Sequence, residues 1–203
     1  MQWQLGTRPT RTQRVKAAAG ALILLALATG VRAGEMTAFQ LVKEGNRYLG
    51  EDAKDKVVQI RSEKSVGTLT PNIWLIVYYD PDATAKATEV KFAAGQKISV
   101  KRPARVLELI GGADQPLPKD KLKIDSDQVL EIAKKEPLIA NLTLKASEMK
   151  LERWGDDKLP VWKIRLWAAR LSNPNKMSDI GELIISADEG KVLKNDLKPS
   201  HVD

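Results

Sequence analysis

The sequence predicts an α+β protein: two copies of a helix packed on a small antiparallel sheet, preceded by a signal peptide. Three observations carry that expectation. A basic and then apolar leader opens the chain, a break rich in glycine and proline divides the rest, and an amphipathic stretch followed by period-two segments stands on each side of the break.

The leader holds Arg8, Arg11, Arg14 and Lys16 and then the apolar run Ala17 to Ala28. A charged region followed by a short apolar region is the order of a secretory signal peptide, and Val31-Arg32-Ala33 places cleavage between Ala33 and Gly34. A membrane anchor needs about 20 apolar residues, whereas this run reaches about 15 even when extended to Val31. The expected address is periplasmic or secreted, with no membrane span after cleavage. With no Cys in the chain, lipid attachment to a mature N-terminal cysteine is excluded.

The leader also distorts the charge balance. Its five basic residues account for most of the formal net charge of +7; without them 28 basic residues face 26 acidic ones, a net of +2. That balance gives no reason to expect a nucleic-acid partner.

Gly111 to Asp120 has neither helical nor strand periodicity, so residues 103–124 are expected to form a linker. Before it, Thr37 precedes a helical pattern over Ala38 to Tyr48. After it, Ser126 is placed to cap a helix over Asp127 to Glu136, which Pro137 ends. The period then falls to two in Val57 to Ser62 and in Leu142 to Leu151. Pro71 to Asp80 and Pro160 to Ala169 follow, each a proline with a tryptophan close behind. Glu89 to Ile98 and Glu182 to Leu193 then read as strand pairs turning at Gly95 and Gly190. The shared order points to an internal duplication: signal peptide 1–33, first repeat 34–102, linker 103–124, and second repeat with a C-terminal tail 125–203.

The second half, with the strand beginning Val161-Trp162-Lys163-Ile164 and a last hairpin carrying Asp188, Gly190, Lys191 and Val192, resembles the PepSY domain. The resemblance covers residues 125 to 196, and more loosely 36 to 102, where Ala93-Ala94-Gly95-Gln96 lacks the turn aspartate. It implies a PepSY/cystatin-like layout of helix on small sheet. It also implies an exported or membrane-associated, non-catalytic module that binds or inhibits peptidases or otherwise modulates a partner.

The residues themselves offer little chemistry. The single histidine, His201, stands three residues from the end of the sequence, where fraying is expected. Zinc ligation needs Cys and His that the chain does not supply. Asp80 and Asp82, Asp125 and Asp127, and Asp156 and Asp157 lack calcium-loop spacing and have turn or capping roles available. Gly111-Gly112 lacks the context of a phosphate loop. No catalytic residue, cofactor or metal site is therefore expected.

The aromatic strands are more informative. In Trp74 to Tyr79 both faces are apolar or aromatic, as in a strand covered on each side. In the counterpart, Trp162, Ile164 and Leu166 share one face and Lys163, Arg165 and Trp167 the other. Trp162 is expected in the core. Trp167 either packs under the linker or the first half, or joins Lys163 and Arg165 as a binding face using stacking and cation–π contacts. The expected function is an exported non-catalytic binding or modulating protein, with peptide binding or peptidase modulation as its expected form and a protein, peptide or envelope polymer as its partner. The alternatives are an exported carboxylate-dependent hydrolase and a structural envelope component.

Overall fold

A computed structural model describes residues 1–2, 35–103 and 115–202. The leader and its cleavage site, residues 1–33, fall almost wholly outside the described residues, as does 104–114 of the expected linker. Apart from residues 1–2, the described residues belong to one compact unit, Ala33–Asp203. Among the described residues no helix is long and apolar enough to cross a membrane.

The expected α+β fold, a helix on a small sheet in two copies, is overturned. The described residues form one eight-stranded antiparallel sheet with two short α-helices, and among them strand outweighs helix, 3-10 turns included, 43% to 21%. The strands are β1 (Val57–Ser62), β2 (Ile73–Tyr79), β3 (Ala87–Ala93), β4 (Gln96–Lys101), β5 (Leu142–Trp154), β6 (Leu159–Arg170), β7 (Asn173–Ser186) and β8 (Val192–Asn195). Their spatial order is β4-β3-β2-β1-β5-β6-β7-β8. Each half contributes a helix and a four-strand meander, and the first strands of the two meanders pair with each other. That pairing makes the sheet continuous, so neither half keeps a small sheet of its own.

Alternation of side chains along strands sets the core. Val90, Ile76, Ile60, Leu151, Trp162 and Ile185 lie in one row across six adjacent strands, and all are fully buried. The helices α1 (Ala38–Gly45) and α2 (Ser126–Lys134) add Ala38, Leu41, Val129, Leu130 and Ala133 to the same hydrophobic cluster. At the end of α1, Gly45 is required by close approach. The buried Tyr78 hydroxyl donates to the Val42 carbonyl at 2.9 Å, and a Cβ on Gly45 would collide with it. Burial pushes the Tyr78 phenol well above its ordinary pKa, so it stays a donor.

The helices meet head to head. Thr37 caps α1 and Asp125, not the expected Ser126, caps α2, each in a reciprocal capping box with a glutamine, Gln40 or Gln128. Ser126 is instead the first residue of α2, and its hydroxyl accepts the Ala38 N–H of α1 at 3.0 Å, across 88 residues of chain. The Asp125 carboxylate accepts both the Ser126 N–H (2.7 Å) and the Phe39 N–H (3.1 Å). One carboxylate thus serves the positive ends of two helices.

At the seam, backbone pairing between β1 and β5 spans only Ile60↔Leu151 and Arg61↔Lys150. Serines continue it. The Met149 N–H donates to Ser62 Oγ at 2.8 Å and the Ser147 N–H to Ser65 Oγ at 2.9 Å, while the Ser147 hydroxyl donates to the Leu69 carbonyl at 2.6 Å. All three serines are buried, so these bonds satisfy groups that water does not reach.

Residues 115–124 dock against the fold. The Leu117 N–H donates to the Val57 carbonyl at 2.7 Å, Arg153 donates to the Pro116 carbonyl, and the Ile124 carbonyl accepts the Trp162 indole N–H at 2.7 Å. The tail expected to fray is also packed: Pro199–Val202 forms a 3-10 turn, and Val202 belongs to the core cluster.

Candidate functional site

The sheet face opposite the helices carries Lys163, Arg165 and Trp167, as alternation along β6 requires. Trp162, Ile164 and Leu166 point the other way and are fully buried. The strand register sets Lys163 beside Lys150, which lies beside Arg61, so three cations adjoin across β6, β5 and β1. Glu152, on the same face of β5, compensates the two lysines: it receives Lys150 and Lys163 at 2.7 Å each and the Gln59 amide at 3.2 Å. The face is not uniformly wet, because Val77 and Gln59 on it are buried.

Arg165 stands between Glu148 and Glu182 in register but pairs with Asp179, through Nε at 2.7 Å and Nη2 at 2.6 Å. A bulge in β7 makes this possible. The register shifts between Leu166 and Trp167, Gly181 takes a positive φ of 98°, and its N–H donates to the other Asp179 oxygen at 2.9 Å. A Cβ on Gly181 would strike the Asp196 carbonyl, which closes against the bulge.

Trp167 is half-buried and outside the core cluster. Lys64, from the loop after β1, places its ammonium 4.2 Å from the ring centroid, and the Arg165 guanidinium lies at 5.8 Å. The indole is therefore flanked by one cation from each half of the chain. Lys64 carried no signal in the sequence, because the register that brings it to Trp167 arises only when β1 joins β5. Beside Arg165 an open hollow of about 570 Å³ is lined by Asp179, Glu182, Asp196, Lys198 and His201. His201 sits there with Nδ1 3.3 Å from the Asp179 carbonyl oxygen.

Every carboxylate whose pKa clearly departs from its ordinary value among the described residues is held down. Burial alone would raise Asp179, but the Arg165 hydrogen bonds, the Gly181 N–H and the Arg165 charge outweigh it. Burial would likewise raise Glu152, and Lys150 and Lys163 outweigh it. The Lys123 and Lys121 hydrogen bonds lower Asp188. A general acid requires the opposite shift. Asp80 accepts the Asp82 N–H and Asp125 accepts the Ser126 and Phe39 N–H groups, and among the described residues no three His, Cys, Asp or Glu side chains gather as a metal site would need.

Glu152 makes the acid limb of stability testable. A carboxyl lowered by folding stabilises the fold above its ordinary value of 4.5 and loses that contribution as pH falls through its folded value. Urea midpoints taken from about pH 7 down to about pH 3 should therefore fall less steeply in Glu152→Gln than in the parent. Parallel curves would show that Glu152 titrates alike in both states.

Comparison with protein-family models, with curated proteins and with solved structures found no match to this chain.

Proposed function

We propose that the chain is an exported, non-catalytic binding or modulating module of PepSY-like type that meets a protein, peptide or envelope polymer on its open sheet face at Lys163, Arg165 and Trp167. The observation that carries this reading is Trp167, a large aromatic kept out of the core and flanked by Lys64 and Arg165. Aromatic side chains with cationic neighbours are favoured contact residues in interfaces. The basic and apolar leader supports export. The downward shifts of the carboxylates favour binding over acid–base catalysis. The PepSY-like reading draws support from the β7–β8 turn, where Gly190 has a φ of 72° and the Asp188 N–H is held by the Ser186 hydroxyl.

The test is capture from envelope extract by the parent protein and by an Arg165→Glu/Trp167→Ala variant of unchanged melting temperature. A species retained by the parent and lost from the variant supports the reading. Equal retention by both overturns the open face as the binding surface.

A further inference from the structure

The two halves carry one aromatic arrangement with a substitution in it. The separation of 88 residues that relates Ala38 to Ser126 also relates the caps Thr37 and Asp125, the capping-box glutamines Gln40 and Gln128, and the strand residues Trp74 and Trp162. By the same separation Phe39 corresponds to Asp127. Because the helices meet head to head, each reaches toward the other half's tryptophan. Phe39 of α1 packs on Trp162, with ring centroids 6.2 Å apart and planes tilted by 36°. At the reciprocal place Asp127 of α2 and Trp74 line one pocket of about 290 Å³, with Pro71, Leu130 and Met149 also among its walls.

The fold therefore contains its own description of what this pocket accepts. A phenyl ring fills the equivalent space over Trp162; over Trp74 the equivalent residue is a carboxylate. At about 290 Å³ the pocket is at the small end of ligand sites and suits one side chain. It is ill suited to an anion, because the N–H groups of Ala38, Phe39 and Gln40 in α1 and of Ser126 and Gln128 in α2 already donate to Ser126, Asp125 and Thr37 side chains. Its rim is acidic: Glu131 is paired with Lys134 at 2.6 Å, whereas Glu35 and Asp127 make no ion pair among the described residues.

We propose that this pocket binds an aromatic side chain of a basic peptide segment, with the ring seated on Trp74 and an adjacent cation met by Asp127 and Glu35. The ring gains apolar and tilted ring-to-ring contacts like those Phe39 makes on Trp162. The cation gives the rim carboxylates the partner that the described residues do not supply. The site lies on the helix-covered face, opposite Lys163, Arg165 and Trp167, and stands or falls separately from the open face.

The test titrates isotope-labelled protein with acetyl-Lys-Phe-Lys-amide, following amide and indole resonances. Saturable shifts are expected at Trp74, Asp127 and Leu130, with a dissociation constant of about 1 mM or tighter and at least about tenfold weaker binding of acetyl-Lys-Ala-Lys-amide. Asp127→Phe should fill the pocket from within, as Phe39 does over Trp162, and abolish these shifts while amide dispersion remains that of the folded protein. Asp127→Asn, which leaves the pocket open, should keep the phenylalanine preference and weaken the lysine-bearing probe toward acetyl-Ser-Phe-Ser-amide. That variant decides the matter should Asp127→Phe fail to fold. Shifts confined to Lys163, Arg165 and Trp167, equal binding of the alanine peptide, or undiminished binding by a folded Asp127→Phe would each overturn the proposal.

Discussion

Replacing Trp162 by alanine is expected to lower stability by about 3–5 kcal/mol, the cost of emptying a large aromatic site that the surrounding core cannot refill. Trp162 is fully buried in the row that crosses the sheet, touches Phe39 of α1, and donates its indole N–H to the Ile124 carbonyl just before α2. Its loss would remove a contact to α1 and to the segment leading into α2 as well as to the sheet, and would leave a partly buried carbonyl without its donor. Trp167→Ala on the same strand should cost clearly less, since its ring lies outside the core cluster against Lys64 and Arg165. Denaturant melts of the two variants side by side give the comparison. Equal losses would place Trp167 in the core and remove the open face as a binding surface.

Asp125→Ala should cost roughly 2–3 kcal/mol, more than a usual helix cap. A single cap is worth about 1 kcal/mol, but this carboxylate also accepts the Phe39 N–H of the other helix, so the change strips an acceptor from two helix ends at once. Asp125→Asn keeps an acceptor oxygen and loses the charge that favours both helix N-termini, so it should recover only part of the loss. Urea melts measure the totals, and amide exchange at Phe39 reports the shared bond directly. A loss no larger than that of Asp156→Ala, a change in an exposed turn, would mean that Asp125 does not join the helices.

Much of the local structure was legible because it is written in short-range periodicity. The residues read as the first strand, Val57 to Ser62, are those of β1, whereas α2 stops at Lys134, two residues short of the expected Glu136, and Pro137 opens a 3-10 turn. What the sequence concealed was the joining of the halves. The β1–β5 seam is made by two backbone pairs and then by Ser62 and Ser147, which read as ordinary positions of alternating strands, and by Ser65 in the loop after β1. The expectation of two small sheets failed at that seam. Lys64, Glu152 and Asp179, which now define the electrostatics of the Lys163, Arg165 and Trp167 face, were invisible for the same reason: they reach it through register and through the bulge at Gly181. The capping of α2 by Asp125 rather than Ser126 was a one-residue error with a larger meaning, because Ser126 is needed by the other helix.

The serine seam has a consequence in time. The bonds that close it join residues 82 and 87 positions apart, so during synthesis β1 exists with one bare edge until β5 has been made. A bare, apolar edge invites pairing with the wrong chain. Ser62 and Ser65 lie on that side of β1, and their hydroxyls are as well served by water as by the Met149 and Ser147 N–H groups they later accept. The chemistry that lets the two halves lock together also makes the wait tolerable, since an edge of hydroxyls is wetted while it is alone and dry once its partner arrives.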